Sequence, residues 1–182
     1  MNTYIALLRG INVGGSHMVK MADLKRLMEE SGCADVRTYI QSGNAVFRSA
    51  VSDPARLGNK IGAAIAKRHG FEPRVLVLTA ADVESAAAGN PFPEADREPK
   101  TVHLFFLGAR PAKPDLKAIE ALRAKTERFA LKGRVFFMHT PAGLGKSKLA
   151  TRAERLLGVD ATARNWNTVM ALLEMAGAAP YA

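Results

Sequence analysis

VRTYIQSGNAVFR, Val36 to Arg48, reads as two strand-like segments, Val36 to Gln41 and Ala45 to Arg48, around the pair Ser42-Gly43. Glycine supplies the positive φ that a two-residue hairpin turn needs. Working outward, the N-terminal side holds a helix signal in which Met21, Leu24, Leu27 and Met28 share one face at 3.6-residue spacing and Gly32 ends the run. Before it, Tyr4 to Arg9 is a short apolar run rich in strand formers, closed by Gly10 and the pair Gly14-Gly15. On the C-terminal side, Asp53 is placed to cap a second helix, with Pro54 at its first position. Leu57, Ile61, Ala64 and Ile65 form the apolar stripe of that helix, Gly70 stops it, and Arg74 to Leu78 supplies a fourth strand.

The resulting order, β-α-β-β-α-β, is ferredoxin-like. After an Ala-rich helix near Ala81 to Ala88 and a Pro-rich stretch, the same order begins again. Val102 to Leu107 reads as a strand, Leu116, Ile119 and Leu122 mark a helix, and Arg128 to Leu131 with Val135 to His139 flank Lys132-Gly133 as a second hairpin. Leu149, Ala153, Leu156 and Leu157 stripe another helix, but no good strand pattern follows it. Thr162 to Asn167 leads instead into a last helix with Val169, Leu172, Leu173 and Ala176 on one side. The predicted fold is therefore α+β, two ferredoxin-like lobes of which the second is incomplete and followed by a C-terminal helix. The predicted domains are a first lobe over 1–88, a linker over 89–100 and a second, basic lobe over 101–182.

Three stretches resemble the family named for a domain of unknown function, DUF1697: LRGINVGG at Leu8 to Gly15, TYIQSGNAVF at Thr38 to Phe47, and ARNWNTV at Ala163 to Val169. A fourth, GLGKSKL at Gly143 to Leu149, sits where that family has a glycine-rich turn. The resemblance implies no activity and hands over no catalytic residues, because the family has none established. The chain departs from it at Ser16, where the family tends to carry a basic residue.

Composition narrows the function classes. With 182 residues, 48% of them hydrophobic, the chain can bury a real core, and a disordered or fibrous protein is excluded. No segment approaches the roughly 20 apolar residues of a membrane span, so no membrane partner is expected. The single cysteine, Cys33, excludes an internal disulfide and suits a cytoplasmic location. Net charge is +9, and its distribution is uneven: residues 97–164 carry 15 basic and 6 acidic side chains, against 11 and 10 over residues 1–96. Such an excess favours anionic partners, either nucleic acid or a phosphorylated small molecule, and equally serves solubility. A monomer is the expected state.

Two places gather groups suited to a ligand. A crossover helix forces the first two strands parallel, so their C-terminal ends share one edge. Arg9, Asn12, Gly14 and Gly15 in one loop then meet Gln41, Ser42 and Asn44 in the hairpin, as one surface-accessible polar cluster. A glycine loop running into a helix suits a phosphate; the same glycines and amides also serve as turn and cap residues. In the second half, Gly145-Lys146-Ser147-Lys148 invites comparison with a P-loop, but the position that must be glycine is Thr140. Lys146, Ser147 and Lys148 can still hold a phosphate at a helix start. Arg164, Asn165, Trp166 and Asn167 combine a guanidinium, two amides and the single tryptophan, a set able to stack on a base or, alternatively, to cap the last helix. A rival reading is an enzyme on a phosphorylated or carboxylated small molecule, using Arg9, Asn12, Gln41, Asn44 and Arg164 in a cleft between the lobes; a third is a protein-interaction module. His17, His69, His103 and His139 lack metal-ligand spacing, and no Gly-x-Ser-x-Gly elbow or dinucleotide fingerprint occurs. These features lower the expectation of an enzyme, and no cofactor or metal is expected.

Overall fold

The computed structural model describes residues 1–177. Contacts divide the chain into one unit of Met1–Ser85 with the chain from Ala171 on, and another of Ala86–Met170. The first unit runs β1 (Asn2–Arg9), α1 (Met21–Glu30), β2 (Ala34–Tyr39), β3 (Asn44–Ser49), α2 (Pro54–His69) and β4 (Arg74–Thr79). Its sheet has the order β2-β3-β1-β4, antiparallel throughout. Tyr4, Ala6 and Leu8 of β1 pack in one core with Leu24 and Met28 of α1 and Leu57, Ile61 and Ile65 of α2. Burying each large side chain contributes about 1.5–3 kcal/mol, which is what holds two amphipathic helices on the sheet. Ile5 and Leu7, on the opposite face of β1, are buried as well, so the strand reads as a continuous apolar run and not as an alternation. The helix signals act as expected: the Asp53 carboxylate accepts from the N–H groups of Ala55 and Arg56, and Gly70 closes α2 in the left-handed conformation.

After α3 (Ala80–Ala88), the second unit contains α4 (Glu94–Arg97), β5 (Val102–Leu107), α5 (Leu116–Leu122), β6 (Arg128–Lys132), β7 (Val135–His139), α6 (Lys148–Leu157) and β8 (Ala161–Asn165). Its order, β6-β7-β5-β8, repeats that of the first sheet position for position. The second lobe is therefore complete, which corrects the expectation that it lacks its last strand. ATARN has weak strand propensity, but β5 is buried at all six positions and offers a full edge, which β8 pairs from His103↔Asn165 to Leu107↔Ala161. Tertiary pairing overrides local preference here.

The stretch expected as a linker is folded too. It holds a one-turn helix, Glu94–Arg97, and a 3-10 turn, Pro99–Thr101. Phe92 is buried under the Arg128 guanidinium, 5.1 Å from its ring centre, and Arg128 also pairs with Glu94. The last described helix, Trp166–Met175, begins in the second unit, and the chain from Ala171 on groups with the first, not with the second lobe as the sequence pattern suggests. Arg37 of β2 donates to the Met175 carbonyl there. Residues 178–182 of the expected second lobe lie outside the described residues. Among the described residues, no helix is long and apolar enough to cross a membrane.

Candidate functional site

Strands β1 and β2 are both antiparallel to β3, so they run the same way and end at the same edge of the first sheet. The α2 helix finishes at this end as well, because Arg74, which opens β4 four residues after Gly70, is the cross-strand partner of Arg9. Three loops therefore converge: 10–20, 40–43 and 70–73. The convergence is tight. The Leu8 N–H donates to the Gly43 carbonyl at 2.8 Å, and a Cβ on Gly43 would lie 2.7 Å from Ile11 Cδ1 and 2.8 Å from Leu8 Cβ. With φ at +79°, no other residue fits that position without displacement.

Asn12 ties the loops together. Its Nδ2 donates to the carbonyls of Val19 (2.9 Å) and Gln41 (2.8 Å), and its Oδ1 accepts from the Val19 N–H (2.8 Å). Its own N–H donates to the His17 carbonyl, and the Ser16 N–H to the Val13 carbonyl. Loop 10–20 thus folds into a small hairpin whose tip, Gly14-Gly15, has φ of +59° and +76°, the geometry of a type I′ turn. His17 Nδ1–H donates to the Gly10 carbonyl at 2.9 Å, and its ring stacks on Phe71 with centres 4.2 Å apart.

Two features set this end apart. Four described non-glycine residues have positive φ, and three of them, Asn12 (+53°), His17 (+53°) and Ile40 (+48°), are here. Asparagine tolerates that region; a β-branched isoleucine does not, and such an outlier costs about 1–3 kcal/mol. The charge is also one-sided. Arg9, Lys20, Lys67, Arg68 and Arg74 are all exposed, while Asp23 is paired with Arg26.

A family model described as "Protein of unknown function (DUF1697)" matches residues 1–137, which include every residue of this loop end. The chain belongs to the DUF1697 family. A solved structure, the conserved bacterial protein SP0830 from Streptococcus pneumoniae, is similar to it at 26% identity and a TM-score of 0.72, over 97% of this chain and 99% of that one. No curated protein matches.

In this DUF1697 chain, all seven first-lobe candidates, Arg9, Asn12, Gly14, Gly15, Gln41, Ser42 and Asn44, come together at one end. Asn44 is buried there, and the expectation of a surface position for it is corrected. It is 0% exposed, opens β3, and spans the turn by donating to the Tyr39 carbonyl (3.1 Å) and Ser42 Oγ (3.0 Å). The hairpin is also wider than a two-residue turn, occupying Ile40 to Gly43 between β2 and β3. Nor does the glycine pair run into a helix: α1 starts at Met21, and its cap, Lys20, makes no side-chain cap bond. Sequence reasoning missed Val13, Met18, Ile40, Lys67, Arg68 and Arg74. Their only signal is the Lys67-Arg68 pair in the last turn of α2 and an isoleucine placed against the turn residues.

The second-unit candidates lie at the opposite end of their sheet, where β5 begins. Ser147 is buried and caps α6, its Oγ accepting from the Ala150 N–H at 3.0 Å, while Lys146 and Lys148 are exposed. Asn165 Oδ1 accepts from the Thr168 N–H at 2.9 Å and so caps the last helix. Trp166 is half-buried and Asn167 exposed. Arg164 donates to the Ala163 carbonyl, and burial lowers its guanidinium to about 10. Nearby, burial lowers the His103 imidazole, whose Nδ1 lies 3.4 Å from Thr140 Oγ1. Phe105 and Phe136 are core, and Phe137 is buried, so none of the three is placed to stack on a base. Among the described residues, no group of three or more His, Cys, Asp or Glu is arranged to hold a metal. The thiol of Cys33 is buried and pushed up to about 11.

Proposed function

We propose that this DUF1697 chain is a binding protein for phosphate-bearing ligands, nucleic acid first, and that the loop end of its first unit receives the phosphates. The observation that carries this reading is the set of five exposed cations, Arg9, Lys20, Lys67, Arg68 and Arg74, converging on one strained and tightly stapled set of loops. Backbone phosphates are met there by charge, and the amide and hydroxyl of Gln41 and Ser42 stand beside them. The buried phenylalanines speak against the open-sheet stacking mode of RNA-recognition domains, so contact runs through loops. The free, buried thiol supports a reducing, cytoplasmic setting, and we take the chain to act as a monomer.

Fluorescence anisotropy with labelled duplex across a salt series tests the reading. If each of the five cations neutralises one phosphate, log K falls against log salt with a slope of roughly −4 to −5, at about 0.9 per phosphate. Arg9→Gln and Arg74→Gln each reduce the slope by about 1. Absence of any complex at low salt and tens of micromolar protein removes the proposal. A thermal-shift panel of nucleotides and sugar phosphates separates the rival: a tightly held small ligand raises Tm by mass action at any salt.

A further inference from the structure

We infer that this loop end favours nucleic acid whose bases are already unstacked, and that Val13, Met18 and Ile40 form the aliphatic wedge that enters the gap. The inference rests on the nucleic-acid reading above. Among the described residues, five large apolar side chains are markedly exposed, and three of them are these: Val13 at 69%, Met18 at 62% and Ile40 at 51%. Val13 and Met18 belong to loop 10–20 and Ile40 to loop 40–43, and the bonds of Asn12 hold these two loops together. Val13 follows Asn12 directly, Met18 lies between His17 and Val19, to which Asn12 bonds, and Ile40 precedes Gln41, whose carbonyl Asn12 holds.

The tip is open, since nothing lies within 4 Å of where a Cβ on Gly14 or Gly15 would be. A two-residue turn is about as narrow as a backbone projection becomes. Ile40 carries two costs together: an apolar side chain left in water and a backbone conformation that β-branched residues disfavour. Strain of this kind collects where a ligand uses it. Aliphatic side chains inserted between base steps hold an unstacked or kinked geometry, while surrounding cations grip the phosphates on either side. Unstacking costs least at a bulge, mismatch or flexible pyrimidine–purine step, so those sites are preferred. A lipid surface fits less well, because insertion of Ile40 would drag the exposed polar groups of Gln41 and Ser42 toward hydrocarbon.

The test compares the full chain on a perfect duplex, on the same duplex with a central bulge, and on anionic phosphatidylglycerol vesicles, with 2-aminopurine beside the bulge reporting stacking. The bulged duplex is expected to bind roughly tenfold tighter, with a rise in 2-aminopurine fluorescence, because unstacking costs least there and the wedge completes it. The triple variant Val13→Ser, Met18→Ser, Ile40→Asn is expected to lose that preference and that rise while keeping its duplex affinity and salt slope. Equal affinity of the unaltered chain for both duplexes overturns the wedge and leaves the phosphate-binding proposal standing, and this arm needs no variant. A preference that survives the triple variant also overturns it. Failure to bind any nucleic acid removes the proposed function and the wedge together. Vesicle binding that the triple variant abolishes assigns the three side chains to a lipid surface and overturns the wedge as well.

Discussion

The two units share one sheet order and differ at the end where the first and second strands of each finish. In the first, the β2–β3 connection spans Ile40 to Gly43, bears two positive φ angles and packs under the hairpin of loop 10–20. In the second, only Gly133 and Arg134 separate β6 from β7. Arg134 turns inward to donate to the carbonyls of Leu107 and Gly108, at 3.2 Å and 3.0 Å. One end displays strained, apolar and cationic groups; its counterpart uses a cation to satisfy its own backbone. The polar candidates of the second unit sit at the other end of the sheet, where Ser147 and Asn165 spend their side-chain hydrogen bonds on helix caps. The lesson is that topology sets where loops meet, whereas loop length and turn chemistry set what they present.

The sharpest way to break this comparison is to add a methyl group to each turn glycine. Gly43→Ala places its Cβ within 3 Å of Ile11 and Leu8 at positive φ, and a loss of about 2–4 kcal/mol is expected from overpacking and backbone strain together. Gly133→Ala meets open space, so only the backbone term of about 1–2 kcal/mol applies. Denaturant melts that show equal losses would mean the first turn is not packed as described.

Next in size is the staple. Asn12→Ala leaves groups of Val19 and Gln41 without their partner, at about 1–3 kcal/mol. Ser147→Ala in the second unit removes one helix cap, at about 1 kcal/mol. Asn12→Ala is also expected to weaken nucleic-acid binding, which Ser147→Ala leaves unchanged; anisotropy decides whether the two asparagine and serine roles differ in kind.

Ile40→Asn sharpens the contrast in the opposite direction. Asparagine accepts positive φ, so stability is expected to rise by about 0.5–1 kcal/mol, while the preference for bulged duplex falls. A fall in Tm would show that Ile40 contributes packing that outweighs its strain.

The smallest effects are titrations, and they fall at opposite ends of the pH scale. Cys33 in the first unit is raised by burial from 9.0 to about 11. The native chain keeps a proton the unfolded chain releases, so this contribution is whole below pH 9 and is lost as pH rises toward 11. His103 in the second unit is lowered by burial. There the unfolded chain takes up the proton first, so stability is present above the ordinary imidazole value and is lost as pH falls through the depressed one. Cys33→Ser should flatten the alkaline limb of a Tm–pH curve, and His103→Gln the acid limb; a curve unchanged by either substitution refutes the corresponding assignment.

Much of the fold was legible from local signals. Asp53-Pro54 and Gly70 bracket α2 where the chain says they should, and the stripe of Leu57, Ile61 and Ile65 faces the core. Strand direction alone put Arg9, Asn12 and Gln41 at one edge, because a crossover helix leaves no other choice. These are properties of neighbouring residues: a cap bond closes within three positions, and a helix stripe repeats every 3.6.

What local signals could not carry is whatever depends on a partner distant in sequence. ATARN becomes β8 because β5 offers an unpaired, buried edge, and no property of those five residues announces that. Asn44, polar and beside a turn, looks like a surface residue, yet pairing with Leu7 on one side and Tyr39 on the other takes it to 0% exposure. Val13, Met18 and Ile40 are apolar yet left in water, while Ile11 beside them in sequence is buried against the Gly43 turn. Burial is a count of neighbours from the whole chain, so the sequence by itself determined the elements and the edge where the loops gather, and only the tertiary structure decided which of those side chains remain outside.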